Sequence, residues 1–557
     1  TGYRESKVDN ENEDIDYSAA DAIGNQRYLT DIDTFTQEFR LSGSNGAMDW
    51  LVGAFYYDES IYFESDIDFG SQWRNYANIL VGGSPAAGEA VIGGLEALLG
   101  YPTGTFFEPG TGVLEMATMD NETMSVFGQA SFDLTSRTQL TLGFNYLDDE
   151  KDVGIAQVND DIFSKLALDG ADGATALTNA GFLGAYPGAF EATFGLPFTP
   201  DNAALVGSTP AGAAGMQQLQ AGVLGQVAAA VAMADLSDPT QNPFVGLQAL
   251  QFLPQMLEVP NAANNGASAD EKFTYTASIS HDFSDQLNVY LTYATGYKAT
   301  SWNLSRDTRP TQGEYDALVS AGVTLPNNLT IGTRLAGPEE SEVLELGIKY
   351  KAPWGYINAA FFNQTIEGFQ SNVFTGAGFN LANAGEQSVD GVEVDVMLRP
   401  TERLSLGVSG TYLDPFYDAF IGANVGGAAS DLSGTKPGGI PELTLSLIGS
   451  YDFTILGWDA WIQADYRYDK EVDIQDGGDQ SESNILLETT NSRTREVGLL
   501  NASVGIAKNG WEFRVWGRNL TNDEYLITWF PSVAQTGSFS GYPNQPRMWG
   551  ASIRKSF

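Results

Sequence analysis

The chain has 557 residues, of which 43% are hydrophobic and 12% aromatic, and no stretch approaches the roughly 18–20 consecutive apolar residues of a membrane-spanning helix. Its 28 basic and 71 acidic residues give a net charge of −43, which excludes a nucleic-acid partner because such a chain repels phosphate. The chain has no cysteine, which excludes disulfides and thiol chemistry, and the single histidine, His281, lacks sequence partners for a catalytic or metal site.

Alternation of apolar with polar or small residues is the main signal along the chain. In 286–298, QLNVYLTYATGYK, the side chains of Leu287, Val289 and Leu291 point to one side of an extended segment and the intervening residues point to the other. A period of two residues is typical of half-buried strands. The pattern predicts sixteen strands, near 1–8, 31–44, 47–64, 118–134, 137–152, 270–284, 286–301, 338–352, 355–370, 383–400, 402–417, 438–453, 457–473, 492–507, 510–524 and 543–557.

The connections between these strands alternate strictly between a few residues and long loops. Long loops are predicted near 65–117, 153–269, 302–337, 418–437, 474–491 and 525–542. Short turns at one end and long loops at the other describe a transmembrane β-barrel, and the strands exceed the roughly nine to eleven residues needed to cross a bilayer. The predicted fold class is therefore all-β: one antiparallel transmembrane barrel over 1–557, with Gln463, Asp465 and Arg467 on a face that lines a wet lumen.

The two longest loops also carry helix-like periodicity. The apolar residues Val91, Leu95, Leu98 and Leu99 of segment 88–100 share one helix face, and segment 213–236 repeats the pattern. We expect short helices in these extracellular loops, which either fold over the pore mouth or decorate the loops without a functional role.

Acidic residues cluster in three turn-rich stretches, 9–16, 148–152 and 473–483. We expect these stretches to be solvated loops. Asp and Asn oxygens at alternating positions also suit Ca²⁺ or Mg²⁺, although none of the stretches has the spacing of an EF-hand loop.

Several ordered segments resemble strand signatures of the TonB-dependent outer-membrane receptor family. They are TGYRESKV (1–8), FTQEFRLSG (35–43), LVGAFYYDES (51–60), YATGYKATSWNLS (293–305), PEESEVLELGIKY (338–350), ANAGEQSVDGVEVD (383–395) and GRNLTNDEY (517–525). The terminal YPNQPRMWGASIRKSF (542–557) resembles the family's last strand. Its final aromatic residue, Phe557, resembles the signal that barrel assembly machinery reads.

The resemblance implies a twenty-two-stranded barrel with an amino-terminal plug domain. The sixteen visible strands would be the seventh to the twenty-second, so we expect the sequence to be part of a longer chain, with the plug domain not present in it. The resemblance further implies the outer membrane of a Gram-negative bacterium, contact with lipopolysaccharide and outer-membrane lipids, and coupling to the TonB–ExbB–ExbD complex through the absent plug.

On this resemblance, the residues that contact a small-molecule ligand lie where outward-running strands enter loops. Three cations and a tryptophan in 297–309 suit an anionic or aromatic ligand, although the cations could instead pair with neighbouring acids. A second candidate lies in the short loop 369–380, and a third follows residue 525. The candidate ligand-binding residues are Tyr297, Lys298, Trp302, Asn303, Arg306, Arg309, Phe374, Trp529 and Phe530.

The expected function is active uptake of a scarce solute, most simply a ferric siderophore or similar chelate, with no enzymatic activity. TonB-dependent uptake of a glycan, a vitamin or an aromatic compound is an alternative, because fold does not select the cargo. A passive sixteen-stranded porin is a further alternative, which steady conductance would distinguish. An outer-membrane enzyme is disfavoured because His281 is predicted to lie in a short periplasmic turn.

Overall fold

One antiparallel sheet of sixteen strands organises the molecule, each strand hydrogen-bonded to the next along the chain. The structure, a computed structural model, describes all residues except 17, 252–265, 305–334, 375–378, 384, 426–427, 479–483 and 533–537. The strands are β1 (Gly2–Asp14), β2 (Ile23–Ser44), β3 (Met48–Phe69), β4 (Gly112–Thr135), β5 (Thr138–Asn159), β6 (Ala267–Asp282), β7 (Leu287–Lys298), β8 (Glu339–Ala352), β9 (Gly355–Glu367), β10 (Glu386–Thr401), β11 (Leu404–Ala419), β12 (Leu443–Ile455), β13 (Trp458–Asp473), β14 (Thr494–Lys508), β15 (Trp511–Arg518) and β16 (Met548–Lys555).

All sixteen predicted strands are present, but several boundaries at the loop ends differ. The acidic stretches 9–16 and 148–152, predicted as solvated loops, lie largely within β1 and β5, and the second stretch also lies within the predicted strand 137–152. That prediction was wrong because the sheet continues well past the alternating segment: Arg27 of β2, for example, holds Asp9 of β1 at 3.0 Å. His281 likewise lies in β6 rather than in the turn that follows it.

Strand β15 ends at Arg518, six residues earlier than predicted, because Asn519 adopts a left-handed backbone conformation with φ of 48°. The buried Asn519 side chain then organises the following turn. Its amide donates to the carbonyls of Asp523 and Gln545, and its carbonyl accepts from the backbone N–H of Asp523. From Asn519 onward, the family-like segment 517–525 is therefore a structural turn beside β14.

The two faces of the sheet differ in chemistry. Aliphatic and aromatic side chains such as Leu344, Val515 and Ile553 are exposed on one face, which we call the aliphatic face. The alternating residues carry hydroxyls, amides and charges, as in the 2.7 Å contact between Ser278 and Thr292, and form the polar face. This division matches the predicted lipid-facing and lumen-facing sides of a barrel wall.

Tyrosines on the aliphatic face point their hydroxyls toward the loop end of the sheet. Tyr146 donates to Glu271 at 2.8 Å and Tyr468 donates to Glu496 at 2.7 Å, each carboxylate lying two positions above the directly opposite residue of the next strand. Amphipathic tyrosines at such a boundary are typical of a membrane interface.

Aromatic rings on the polar face lie over glycines of the neighbouring strand. A Cβ atom on Gly347 would lie 2.0 Å from the ring of Tyr290, and one on Gly391 would lie 2.1 Å from the ring of Phe362. The pairs Trp461 with Gly505 and Trp516 with Gly550 repeat the arrangement. Glycine at these positions allows the ring to pack flat against the wall.

The loops between β3 and β4 and between β5 and β6 form a helical cap over the loop end of β2–β5. Its helices include both predicted ones, within 88–100 and 213–236. They are α1 (Trp73–Gly82), α2 (Pro85–Leu99), α3 (Ala171–Phe194), α4 (Pro200–Gly207) and α5 (Pro210–Val231), with 3₁₀ turns at Phe163–Lys165 and Pro243–Leu250. Among the described residues, a further helix, α6 (Asn484–Thr489), lies in the β13–β14 loop.

The cap has its own hydrophobic core and a buried ion pair. Phe106, Phe107 and Phe163 are fully buried and pack with Ile67 and Phe69 from the end of β3. Arg74 of α1 contacts the fully buried carboxylate of Glu96 at 2.7 Å. The cap is thus anchored on the sheet by packing rather than only by its chain connections.

Short hairpins complete the loops. They pair Ser301–Trp302 with Leu335–Ala336, Gln370–Phe374 with Phe379–Asn383, Ile421–Val425 with Ala428–Asp431, and Leu526–Pro531 with Phe539–Pro543. None of the helices in the described ranges has both the length and the apolar character to cross a membrane.

Candidate functional site

Tyr297 and Lys298 end β7 at the loop side of the sheet, as predicted. The Nζ atom of Lys298 lies 3.5 Å from Oε1 of Glu339, so this cation is paired with a neighbouring acid. The Tyr297 phenol is partly buried and lies beside the Asp270 carboxylate. Asp270 also accepts a hydrogen bond from the backbone N–H of Thr300 at 3.0 Å, which fixes the start of the loop.

Trp302 and Asn303 lie inside the protein at the base of this loop. Trp302 is 9% exposed and its Nε1 donates to Ser268 Oγ at 3.0 Å, while Asn303 is 4% exposed. Arg306 and Arg309 lie outside the described residues. The structure therefore places four of the six residues of this group together at one strand end, with Trp302 stabilising the loop base.

Gln370 and Asn383, which the sequence analysis did not single out, connect this group to the neighbouring hairpin. The Gln370 amide donates to the carbonyls of Ala299 and Gly337 at 2.9 and 2.8 Å. Asn383 accepts from the N–H of Gly337 at 2.7 Å. The sequence signal that could have identified these two residues is an amide side chain at the end of a predicted strand. Phe374, the second candidate, ends the hairpin strand that Gln370 begins.

Trp529 and Phe530, the third candidate, belong to a separate cluster. Trp529 is 2% exposed and packs with Ile474 and Leu487, and its carbonyl accepts a hydrogen bond from Gln475. The Phe530 ring lies 5.9 Å from that of Tyr542. The structure thus divides the predicted ligand-binding residues between two places, and their role in ligand binding stays a prediction.

The polar face of β7–β11 contains a concave patch with a volume of about 330 Å³. Tyr290 donates to Glu345 Oε1 at 2.6 Å, and the Nζ atom of Lys349 lies 5.1 Å from the centre of the Tyr290 ring. Ser409 donates to Asp395 at 2.9 Å. Hydroxyls and carboxylates arranged in this way suit a hydrated surface that contacts a polar solute.

The loop end of β3 carries close carboxylates under the cap. Burial, with Asp66 and Asp160 nearby, raises the pKa of Asp68 to about 6. Nevertheless, within the described ranges no group of three or more His, Asp or Glu residues is placed to hold a metal ion. Ca²⁺ or Mg²⁺ at the acidic loops stays a prediction.

In the described structure, His281 contacts residues at the turn end of β5 and β6. Its Nδ1 lies 2.9 Å from Thr138 Oγ1, and its ring packs edge-on against Phe283 at 4.6 Å. These contacts stabilise the end of β6.

Comparison with known proteins gives a family match over most of the chain. The family model described as TonB dependent receptor-like, beta-barrel, matches residues 1–520. A search of curated protein sequences finds no match.

Solved structures share the fold at low sequence identity. The ferric yersiniabactin uptake receptor FyuA from Yersinia pestis is 14% identical, with a TM-score of 0.56 over 97% of this chain and 56% of its own. The siderophore receptor PiuA from Acinetobacter baumannii is also 14% identical, with a TM-score of 0.53 over 99% of this chain and 61% of its own. The chain therefore spans less than two thirds of the length of either receptor.

Proposed function

This chain belongs to the TonB-dependent receptor family, and from that premise we propose that it is the barrel of an outer-membrane receptor that takes up a scarce solute into a Gram-negative cell. Members of the family are transporters rather than enzymes. The observation that carries the proposal is the family match over residues 1–520, onto a sheet with one aliphatic and one polar face.

The proposed cargo is a ferric siderophore or a similar chelate. The names of the two receptors compared above, one for ferric yersiniabactin and one for a siderophore, support this choice, although they describe those proteins. A glycan, a vitamin or an aromatic compound is the competing cargo. A passive sixteen-stranded porin is the competing mechanism.

We further propose the partners that uptake requires. A plug region outside this sequence would couple the barrel to the TonB–ExbB–ExbD complex. Outer-membrane lipids and lipopolysaccharide would surround the aliphatic face. Barrel assembly machinery would read β16 and Phe557, and the exposure of Trp549 and Ile553 on the aliphatic face of β16 supports that role.

The test is uptake of radioactive iron by cells that produce the natural full-length protein and lack other siderophore receptors. We expect uptake of at least one ferric siderophore that stops when TonB is deleted or the proton gradient is dissipated. The control is a bacterial strain that produces the receptor at the same level but without its TonB-contacting segment. Steady conductance in planar bilayers, with solute entry independent of TonB, would establish the porin instead.

A further inference from the structure

Five arginines form a column on the polar face of the last four strands. They are Arg467, Arg495, Arg514, Arg518 and Arg554. The column runs from the start of β14 at the loop end to Arg554, which stands opposite Glu512 beside the turn at the other end. It therefore follows the height of these four strands from the loop end to the turn end.

Side-chain contacts identify the face on which these arginines lie. Arg514 Nη2 donates to Ser503 Oγ, which is 3.2 Å away and buried on the polar face. The next residue, Val515, is 53% exposed on the aliphatic face. Arg518 and Arg554 have the same parity as Arg514 within the paired strands β15 and β16, so they share the polar face.

Most of the column lacks a carboxylate partner. Arg467 pairs with Asp469 at 2.7 Å. Arg495 donates instead to the carbonyl of Ile527 at 2.7 Å. In the part of the chain that the structure describes, Arg514 and Arg518 have no carboxylate within 4 Å, and the same holds for Arg554. The chain has 71 acidic residues and 28 basic ones, so arginines without a carboxylate partner are unexpected in it.

An aromatic residue accompanies the free cations. The Arg518 guanidinium lies 5.5 Å from the centre of the Trp516 ring, which itself lies over Gly550. An arginine fork presents several N–H donors in one plane to an anion, and an adjacent indole provides a flat apolar surface. Together they suit an anion that has an aromatic or planar part.

We propose that this arginine column binds an anionic metal chelate and guides it along the barrel wall. The inference rests on the proposed uptake function and specifies the charge class of its cargo. A column that runs from the loop end of β14 to the turn end of β16 suits a solute in transit, since a partner fixed at one place would need only a few of these groups. An acidic polypeptide segment held against the wall is the alternative occupant.

The experiment compares two iron complexes of similar size and different charge, on outer membranes that contain the natural full-length receptor. Ferric tris(catecholate) is anionic and ferric trihydroxamate is neutral. In the double variant Arg514→Gln/Arg518→Gln we expect binding of the catecholate to weaken about tenfold or more, because charge-assisted hydrogen bonds are lost. Binding of the trihydroxamate should change by less than about twofold.

Two further variants serve as controls. Arg403→Gln removes the same charge from an exposed arginine in the turn between β10 and β11, away from the polar-face column, and should leave both affinities unchanged. The double variant Arg514→Lys/Arg518→Lys keeps the charge and should recover part of the catecholate affinity.

Three outcomes would overturn the inference. Unchanged catecholate binding would show that these arginines do not contact the cargo. Equal loss of both complexes would show that the defect is structural. The double variant could also admit more of a large antibiotic into the cell while its catecholate binding stays unchanged. That result would show that the arginines hold a polypeptide segment that blocks the lumen.

A different result would contradict the proposed function instead. If the wild-type receptor binds neither iron complex, purified receptor is titrated with inorganic tripolyphosphate to test whether the arginine column binds anions at all. Binding by the wild type that the double variant loses supports an anion-binding column without iron uptake. No binding by the wild type contradicts both proposals.

Discussion

The sheet and the cap maintain their structures by different means. Each strand residue of the sheet contacts mainly its direct and diagonal neighbours, as Tyr290 does with Gly347 and Glu345. The cap instead encloses a three-dimensional core around Phe107 and an ion pair that joins α1 to α2. A substitution in the sheet should therefore disturb one pair, whereas a substitution in the cap should disturb the whole unit.

The largest effect is expected from Arg74→Ala in the cap. Removing the guanidinium leaves the fully buried Glu96 carboxylate with only the backbone N–H groups of Gly104 and Phe106. Breaking a buried pair from one side costs about 3–5 kcal/mol. Hydrogen exchange should show loss of protection over 70–111 with the sheet unchanged. Equal protection in both proteins would contradict the prediction, and Arg137→Ala, in an exposed pair, is the control.

Asp68→Asn should stabilise the cap at neutral pH. The pKa of Asp68 is raised to about 6 in the folded protein, above its value in the unfolded chain, so ionisation disfavours the folded state as pH rises from about 4 to 6. The variant should gain about 2–3 kcal/mol at pH 7.5 and nothing below about pH 4. Proteolytic susceptibility of the cap against pH measures this difference, with the exposed Asp285→Asn as control. Parallel pH profiles for Asp68→Asn and wild type would refute it.

Gly391→Ala tests the pairwise character of the sheet. The added methyl would lie 2.1 Å from the Phe362 ring and should cost about 1–3 kcal/mol. Gly143→Ala is a matched control, because its nearest neighbour would lie at 3.6 Å. Urea unfolding in detergent should give a lower midpoint for the first variant only. Equal midpoints would mean that the wall adapts more readily than its cross-strand pairs indicate.

The smallest effect is expected from Ser278→Ala. The hydroxyl pair with Thr292 at 2.7 Å faces the hydrated side, so its loss should cost about 0.5–1.5 kcal/mol. The same urea titration measures it. A cost as large as that of Arg74→Ala would show that hydroxyl pairs couple along the wall.

The sheet could be predicted from the sequence because alternation is a local signal with a fixed period. The loop ends of β1–β5 could not. In β1 the acidic stretch DNENEDID (9–16) is polar on both faces and loses the alternation. The loop ends of β3 and β4 instead pack under the cap through Ile67, Phe69 and Val113, and such tertiary contacts leave no local signal in the sequence. The Arg74–Glu96 pair depends on how two helices pack and has no signature in the chain. Among the site residues, the position of Tyr297 at a strand end followed from the pattern, whereas the roles of Gln370 and Asn383 depend on which loops meet.

The strands have unequal lengths, so their loop ends lie at different heights above the short turns. At about 3.3 Å per residue, the 24 residues of β4 extend about 80 Å, whereas the 8 residues of β15 extend about 26 Å. The strand β4 therefore extends well beyond the roughly nine to eleven residues that cross a bilayer, whereas β15 has fewer residues than that. Under the proposed uptake function, a solute would therefore meet a tall wall of strands on the side of β2–β5 and a much shorter wall of strands on the side of β15 and β16.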